Sequence, residues 1–149
     1  MKALLQRVKN ASVSINNLEK GSINQGIVIL LGIGTEDTIE DINWLIRKIT
    51  NMRIFNDEKG VMNLSCQDID GQYLVVSQFT LHANTKKGNR PSYIAAARPE
   101  IAIPLYKTFI KQLGITSQTE IAEGVFGADM QVQLINDGPV TIWLDSKNK

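Results

Sequence analysis

The chain has 149 residues, 43% hydrophobic and 21% charged, a balance that excludes a disordered tail protein, a collagen-like repeat or a low-complexity chain and leaves one domain with a substantial core. A single cysteine, Cys66, and a single histidine, His82, exclude an intrachain disulfide framework and any Cys/His zinc cage supplied by one chain. The formal net charge of +1 argues against a broad electrostatic footprint on duplex nucleic acid.

From the N-terminus, Arg7 interrupts Met1-Lys2-Ala3-Leu4-Leu5, so no secretory leader is expected, and the longest apolar run, Ile27 to Leu31, falls far short of the ~18 residues of a membrane span. A reducing cytoplasm is the expected compartment. Ala3 to Asn10 and Ser12 to Asn16 read as strand, with Val13 and Ile15 alternating against Ser12, Ser14 and Asn16. Gly21 is read as the turn before the next strand. Gly26-Ile27-Val28-Ile29-Leu30-Leu31-Gly32 has no polar face and predicts a strand covered on both sides.

At Asp37 or Thr38 the period changes. Ile39, Ile42, Leu45, Ile46 and Ile49 recur at helical spacing, with Glu40 and Asp41 in the first turn and Arg47 and Lys48 near the end, in agreement with the helix dipole. Turns are predicted at Asn56 to Gly60 and at Asp68 to Gly71, before a central strand within Tyr73 to Leu81. A second helix presents Leu105, Phe109 and Leu113 on one face and is expected to stop at Gly114. Pro99 suits its first turn, whereas Pro104 cannot donate to the ladder. Phe126, Ala128, Met130, Val132 and Leu134 then alternate with polar residues or glycine, and Val140, Ile142 and Leu144 repeat the pattern. Strands outnumber helices and hairpin-like pairing is expected. The predicted class is α+β: a curved, barrel-like sheet with two main helices packed outside, as one domain over residues 1–149.

Two segments place polar groups where apolar strands end. Ser77-Gln78-Phe79-Thr80 closes Leu74-Val75-Val76 and reads either as a strand end satisfying its own hydroxyls or as a hydrolytic site. A Thr80 nucleophile would need a base, and His82 shares its parity on an extended strand. Same-face residues two apart stand ~6.5–7 Å apart, too far for activation by a direct hydrogen bond. Asn136-Asp137-Gly138-Pro139-Val140-Thr141 reads as a hairpin turn, or as a tight backbone feature presenting carbonyl oxygens, since Pro139 removes a ladder donor and an X-Pro bond can be cis at modest cost. Lys86-Lys87-Gly88-Asn89-Arg90-Pro91 reads as a solvated loop or a small phosphate-binding patch.

The combination of Ser77-Gln78-Phe79-Thr80 with Asn136-Asp137-Gly138-Pro139-Val140-Thr141 resembles the D-aminoacyl-tRNA deacylase family. Leu5-Gln6-Arg7-Val8, Arg53-Ile54-Phe55, Met62-Asn63-Leu64, Gly88-Asn89-Arg90-Pro91-Ser92 and Ala128-Asp129-Met130-Gln131-Val132 resemble it too, in order and spacing, up to about Asp145. The resemblance implies a homodimer that hydrolyses the ester between a D-amino acid, or glycine, and the terminal adenosine of tRNA, rejecting the L form, with no cofactor, no metal and no DNA or membrane partner. It implies that Ser77, Gln78, Phe79 and Thr80 line the pocket, with main-chain N–H groups facing the substrate carbonyl. Gly138-Pro139, cis in the family, would enter the partner's site, with Arg7 holding the motif. Phe126 and Met130 would lie beside the aminoacyl-adenosine. Lys86, Lys87 and Arg90 are the candidate contacts to tRNA phosphates. Two rival readings are a non-catalytic oligomeric module binding a nucleotide or acyl ligand, and a Thr-dependent esterase that relies on His82.

Overall fold

The computed structural model describes residues 1–149. Strand β1 (Lys2–Ile15) is the spine of the molecule, because both of its edges are paired. On one edge its C-terminal half pairs antiparallel with β2 (Leu18–Ile23) and its N-terminal half with β3 (Gly26–Gly32). The turn into β2 is Asn16-Asn17, both at positive φ, a conformation asparagine tolerates better than most residues. Gly21 therefore lies inside β2 and is not the turn expected of it; its open side faces the Glu123 backbone and the Ala122 side chain.

Beyond β3 the sheet becomes parallel, contrary to the hairpin-like pairing expected from the strand count. Strand β6 (Gln72–Ser77) pairs parallel with β3, and β7 (Ile121–Glu123) pairs parallel with β6. Parallel neighbours need crossovers. The first is helix α1 (Ile39–Asn51) with the small hairpin of β4 (Phe55–Asn56) and β5 (Met62–Leu64); the second contains helix α2 (Pro99–Ser117). The result is a nearly closed, barrel-like mixed sheet carrying two helices, the α+β class expected from the sequence.

The other edge of β1 carries β8 (Gln131–Asp145), a single strand running from the pair Ser14/Gln131 to the pair Lys2/Asp145. No hairpin forms at Asp137-Gly138. Between the pairs Gln6/Thr141 and Val8/Asn136, residues 137–140 of β8 oppose Arg7 alone, so the segment bulges out of the ladder. The alternation from Phe126 to Leu134 also becomes strand only at Gln131. The stretch before it is an irregular loop against the end of the sheet.

Alternation sends the two faces of the sheet into separate cores. Ile27, Ile29, Leu31, Tyr73 and Val75 join Leu45 and Ile49 of α1 and Tyr106, Phe109 and Leu113 of α2. Val28, Leu74 and Val76 point the other way, into a smaller cluster with Val8, Val13 and Ile23. Helix α1 begins after Thr38, whose N–H donates to the Asp41 carboxylate at 2.8 Å. Helix α2 takes Pro99 in its first turn and accommodates Pro104. It does not stop at Gly114 but continues to Ser117, whose Oγ donates to the Leu113 carbonyl at 2.8 Å, and ends where Gln118 turns left-handed.

The chain ends meet near α1. The Met1 ammonium donates to Asp37 Oδ1 at 2.5 Å and to Ser146 Oγ at 2.7 Å, while Ser146 Oγ donates to Asp41 Oδ1 at 2.6 Å and Lys147 Nζ to Asp41 Oδ2 at 2.8 Å. Burial pushes the Asp41 carboxyl pKa upward, yet the hydrogen bonds from Lys147, Ser146 and the Thr38 amide outweigh it and hold the group well below the usual carboxylate range. No helix is long and apolar enough to cross a membrane.

Candidate functional site

Strands β3 and β6 end side by side, with Leu31 opposite Ser77. Gln78 N–H still donates to the Leu31 carbonyl at 2.8 Å, and the chain then leaves the strand for a single 3-10 turn, Phe79–His82. The extended-strand spacing invoked for Thr80 and His82 therefore does not apply beyond Ser77. Gln78 Nε2 donates to Thr80 Oγ1 at 2.6 Å. The first hydrogen bond of the turn runs from Leu81 N–H to the Gln78 carbonyl at 3.3 Å, so the Phe79 and Thr80 amides precede it and have no acceptor within the turn.

His82 does not form a catalytic pair with Thr80, nor is it a solvated loop residue. Its ring packs against Gly32 and Gly34 in the interior, where Nε2 has no hydrogen-bond partner. Burial lowers its pKa below the ordinary histidine value. Neutral and enclosed, it is a structural side chain.

Beside the end of β6 lies a cavity of about 560 Å³, lined mainly by hydrophobic residues. Three connecting segments build it around Leu31 and Ile33. Ser77, Gln78 and Phe79 form one wall, Tyr93 with Ala96 to Pro99 a second, and Phe126 to Met130 a third. Each wall is fastened to the fold. Ala97 N–H donates to the Ile33 carbonyl at 2.8 Å, the ring of Phe126 meets Tyr106 of α2 edge-on at 5.6 Å, and Phe79 meets Tyr93 edge-on at 5.0 Å. Met130 lies where a side chain on Gly124 would be, 2.5 Å from an added Cβ. A side chain there would displace the Met130 thioether. Thr80 lies just outside the lining.

Arg7, Gly138 and Pro139 lie elsewhere. Arg7 is buried; its Nε donates to the Asp137 carbonyl at 2.9 Å and its Nη1 to the Ile54 carbonyl at 2.6 Å, with the Asp137 carboxylate 3.5 Å away. On the far side of the bulge, Asn136 Oδ1 accepts from Val140 N–H at 2.9 Å. Gly138 and Pro139, joined by a cis peptide, are exposed between these anchors and do not line the cavity of their own chain. Gly138 has φ +130°, and an added Cβ would stand 2.8 Å from Arg7 Nη2.

Lys86, Lys87 and Arg90 are exposed on a loop closed by the paired residues Asn84 and Ser92. Tyr93 follows directly, so the basic loop leads into the cavity wall. Sequence reasoning did not single out Tyr93, the segment Ala96 to Pro99, or Asp129 as cavity-lining. The nearest local signal was the small-residue run Ala95-Ala96-Ala97, which lets the backbone pack against the end of β3.

The arrangement holds no nucleophile with an adjacent base. It offers an apolar chamber, backbone amides at a strand end and a Gln78 side chain already hydrogen-bonded to Thr80. Such a site can position an activated acyl group and stabilise developing negative charge, but has little side-chain chemistry with which to attack an inert bond.

Residues 4–145 match the family model described as D-Tyr-tRNA(Tyr) deacylase. Two curated relatives named D-aminoacyl-tRNA deacylase, from Flavobacterium psychrophilum and Parabacteroides distasonis, are 59% and 55% identical over 149 residues, covering 100% of this chain and 99% of each relative. A solved structure titled c-Myc DNA Unwinding Element Binding Protein is 44% identical, with TM-score 0.92 over 97% of this chain and 98% of that one. Another, titled as a probable eukaryotic D-amino acid tRNA deacylase, has TM-score 0.80 over 96% of this chain and 97% of that one; at 15% identity it shows the shared fold.

Proposed function

The chain belongs to the D-aminoacyl-tRNA deacylase family, hydrolases of the ester in D-aminoacyl-tRNA, and we propose that it acts as a homodimer whose cavity beside Ser77-Gln78-Phe79 receives the aminoacyl-adenosine end of the tRNA. The observation that carries this reading is the separation within one chain between that cavity and the exposed Gly138-Pro139 bulge. A rigidly anchored backbone segment facing outward fits a second copy's cavity. Its carbonyl oxygens would accept from the substrate's α-amino group.

Selection then works by exclusion. With the amino group and the ester carbonyl both fixed, an L side chain points into the Gly138-Pro139 wall and a D side chain into open space. Glycine has no side chain to exclude and is a substrate by the same logic. Ser77, Gln78 and the amides of Phe79 and Thr80 position the ester, and Phe126 and Met130 flank the adenosine. Thr80 Oγ1, already engaged with Gln78, positions and does not attack. An aminoacyl ester is activated enough for an ordered water, assisted by the ribose 2′-hydroxyl; one oxyanion donor contributes ~10²–10³ in rate.

Lys86, Lys87 and Arg90 supply local phosphate affinity. With a net charge of +1, this small patch suits the single-stranded acceptor end of tRNA rather than a DNA duplex. The reaction uses no cofactor, and the reducing cytoplasm is its place. Deacylation of matched D- and L-aminoacyl-tRNA, with and without chelator, tests the reading. Preferential loss of the D ester under both conditions is expected; equal rates on the two enantiomers would sink the chiral mechanism.

A further inference from the structure

We infer that Arg98 binds the phosphodiester on the 5′ side of the terminal adenosine, and so anchors the nucleotide end of the substrate in the cavity. The inference rests on the proposed use of the cavity and adds to it a residue that no motif in the chain marks. The cavity wall contains two charged residues, Arg98 and Asp129. Arg98 is exposed and makes no ion pair within the chain. Among the lining residues it is the one cation, and its charge is uncommitted.

Its backbone, by contrast, is fixed. The preceding residue, Ala97, donates to the Ile33 carbonyl, and the following one, Pro99, opens α2. The Arg98 carbonyl accepts from Ala102 N–H at 2.9 Å. A guanidinium on so firm a base loses less freedom on binding than one on a loop, and its fork of donors matches phosphate oxygens. The ligand supplies the complement. An aminoacyl-adenosine is neutral apart from its amino group, and the first anion met on leaving it toward the tRNA is the 5′ phosphodiester. Asp129, on the connecting segment with Phe126 and Met130, repels that anion, so of the two charged lining residues Arg98 is the one that attracts it. From there the acceptor strand continues toward Lys86, Lys87 and Arg90, whose loop joins the same wall at Tyr93.

The test isolates one phosphate. D-aminoacyl esters on the ribose of adenosine and of adenosine 5′-phosphate are compared as substrates for the wild type, Arg98→Ala and Arg98→Lys, alongside D-aminoacyl-tRNA. The wild type is expected to show a KM about fivefold lower for the phosphorylated ester, the scale of a partly solvated charge-assisted contact. Arg98→Ala should erase that preference, the KM for the phosphorylated ester rising about fivefold toward that of the unphosphorylated one. Arg98→Lys should restore part of it. A preference retained in Arg98→Ala, or equal losses on both esters, would overturn the inference. Calorimetric binding of adenosine 5′-phosphate against adenosine reads the same contact without turnover. Loss of the nucleotide's advantage in Arg98→Ala supports the contact even if no ester is cleaved, and an unchanged advantage refutes it. Failure of the wild type on every D ester counts instead against the proposed function.

Discussion

Arg7 stands directly behind Gly138: its Nε holds the Asp137 carbonyl at 2.9 Å while its Nη2 lies 2.8 Å from where a Gly138 side chain would begin. One buried guanidinium thus backs the bulge of β8 and holds its Asp137 carbonyl. It also ties the bulge to Ile54, on the segment after α1, so the feature that faces outward is braced from inside the fold.

Arg7→Ala removes that brace and leaves the Asp137 and Ile54 carbonyls without their donor. A loss of about 2–3 kcal/mol in stability is expected from charge-assisted bonds of this kind. Urea titration measures it. Deacylation by the folded fraction should fall further, at least tenfold, because the bulge loses its set position. Full activity in the folded variant would show that the projection of Gly138-Pro139 is unimportant.

The histidine gives a pH prediction. His82 is neutral and buried, with its pKa held below the 6.5 of the free side chain. The unfolded chain therefore binds more protons than the folded one as pH falls from about 6.5 through the folded pKa, and stability is lost over that window. Asp41, also held below its ordinary value, adds a further loss at more acidic pH, below the free carboxyl's 3.8. His82→Gln should lower stability at pH 7 through poorer packing, yet lose less between pH 7 and 5.5 than the wild type. Its deacylation rate at pH 7 should stay within a few fold. Identical acid profiles would mean that another group titrates there.

The elements legible in the sequence are those whose pattern has one physical meaning. Helix α1 carries its apolar stripe, acidic first turn and Thr38 together, and β3 is apolar at every position because it is covered on both faces. The failures are tertiary. Asp137-Gly138 looks like a hairpin because nothing local reveals that β1 pairs along nearly the whole of β8 and absorbs the extra residues as a bulge. Gly114 looks like a stop because the Ser117 hydroxyl and the left-handed Gln118 that end α2 lie beyond it. The spacing argument for Thr80 and His82 presumes an extended chain, and the strand ends at Ser77. For the candidate site, the motif residues Ser77 to Phe79, Phe126 and Met130 come together around one cavity. The wall from Tyr93 to Pro99 carries no periodicity or motif and becomes visible only where Ala97 docks on Ile33.

Neutralising Lys86, Lys87 and Arg90 together should weaken binding of aminoacyl-tRNA and flatten its salt dependence by about 0.7 in log–log slope for each single-strand phosphate contact removed. All three side chains are exposed, so folding should be unaffected. Hydrolysis of a minimal aminoacyl-adenosine should also be unchanged, which separates tRNA affinity from chemistry. An unaltered affinity and salt slope on full tRNA would make the loop a solvated connection and nothing more.

The sharpest prediction concerns which chain completes which cavity. Gly138→Val puts a Cβ against Arg7 Nη2 and the Val140 backbone at a φ of +130°, which a β-branched residue does not adopt without strain. It should block the projecting bulge while leaving that chain's own cavity intact. A chain altered at Ser77, Gln78 and Thr80 has the converse defect: an impaired cavity and a sound bulge. Either homodimer should be nearly inactive on D-aminoacyl-tRNA. When the two chains are mixed, the heterodimer contains one cavity in which an unaltered Ser77-Gln78-Thr80 faces an unaltered Gly138-Pro139, so activity should recover to about one site per heterodimer. If each bulge served its own cavity, every site in the heterodimer would carry a defect and mixing would restore nothing. Recovery therefore depends on exchange between subunits, and a mixture as inactive as its parents would refute the shared site.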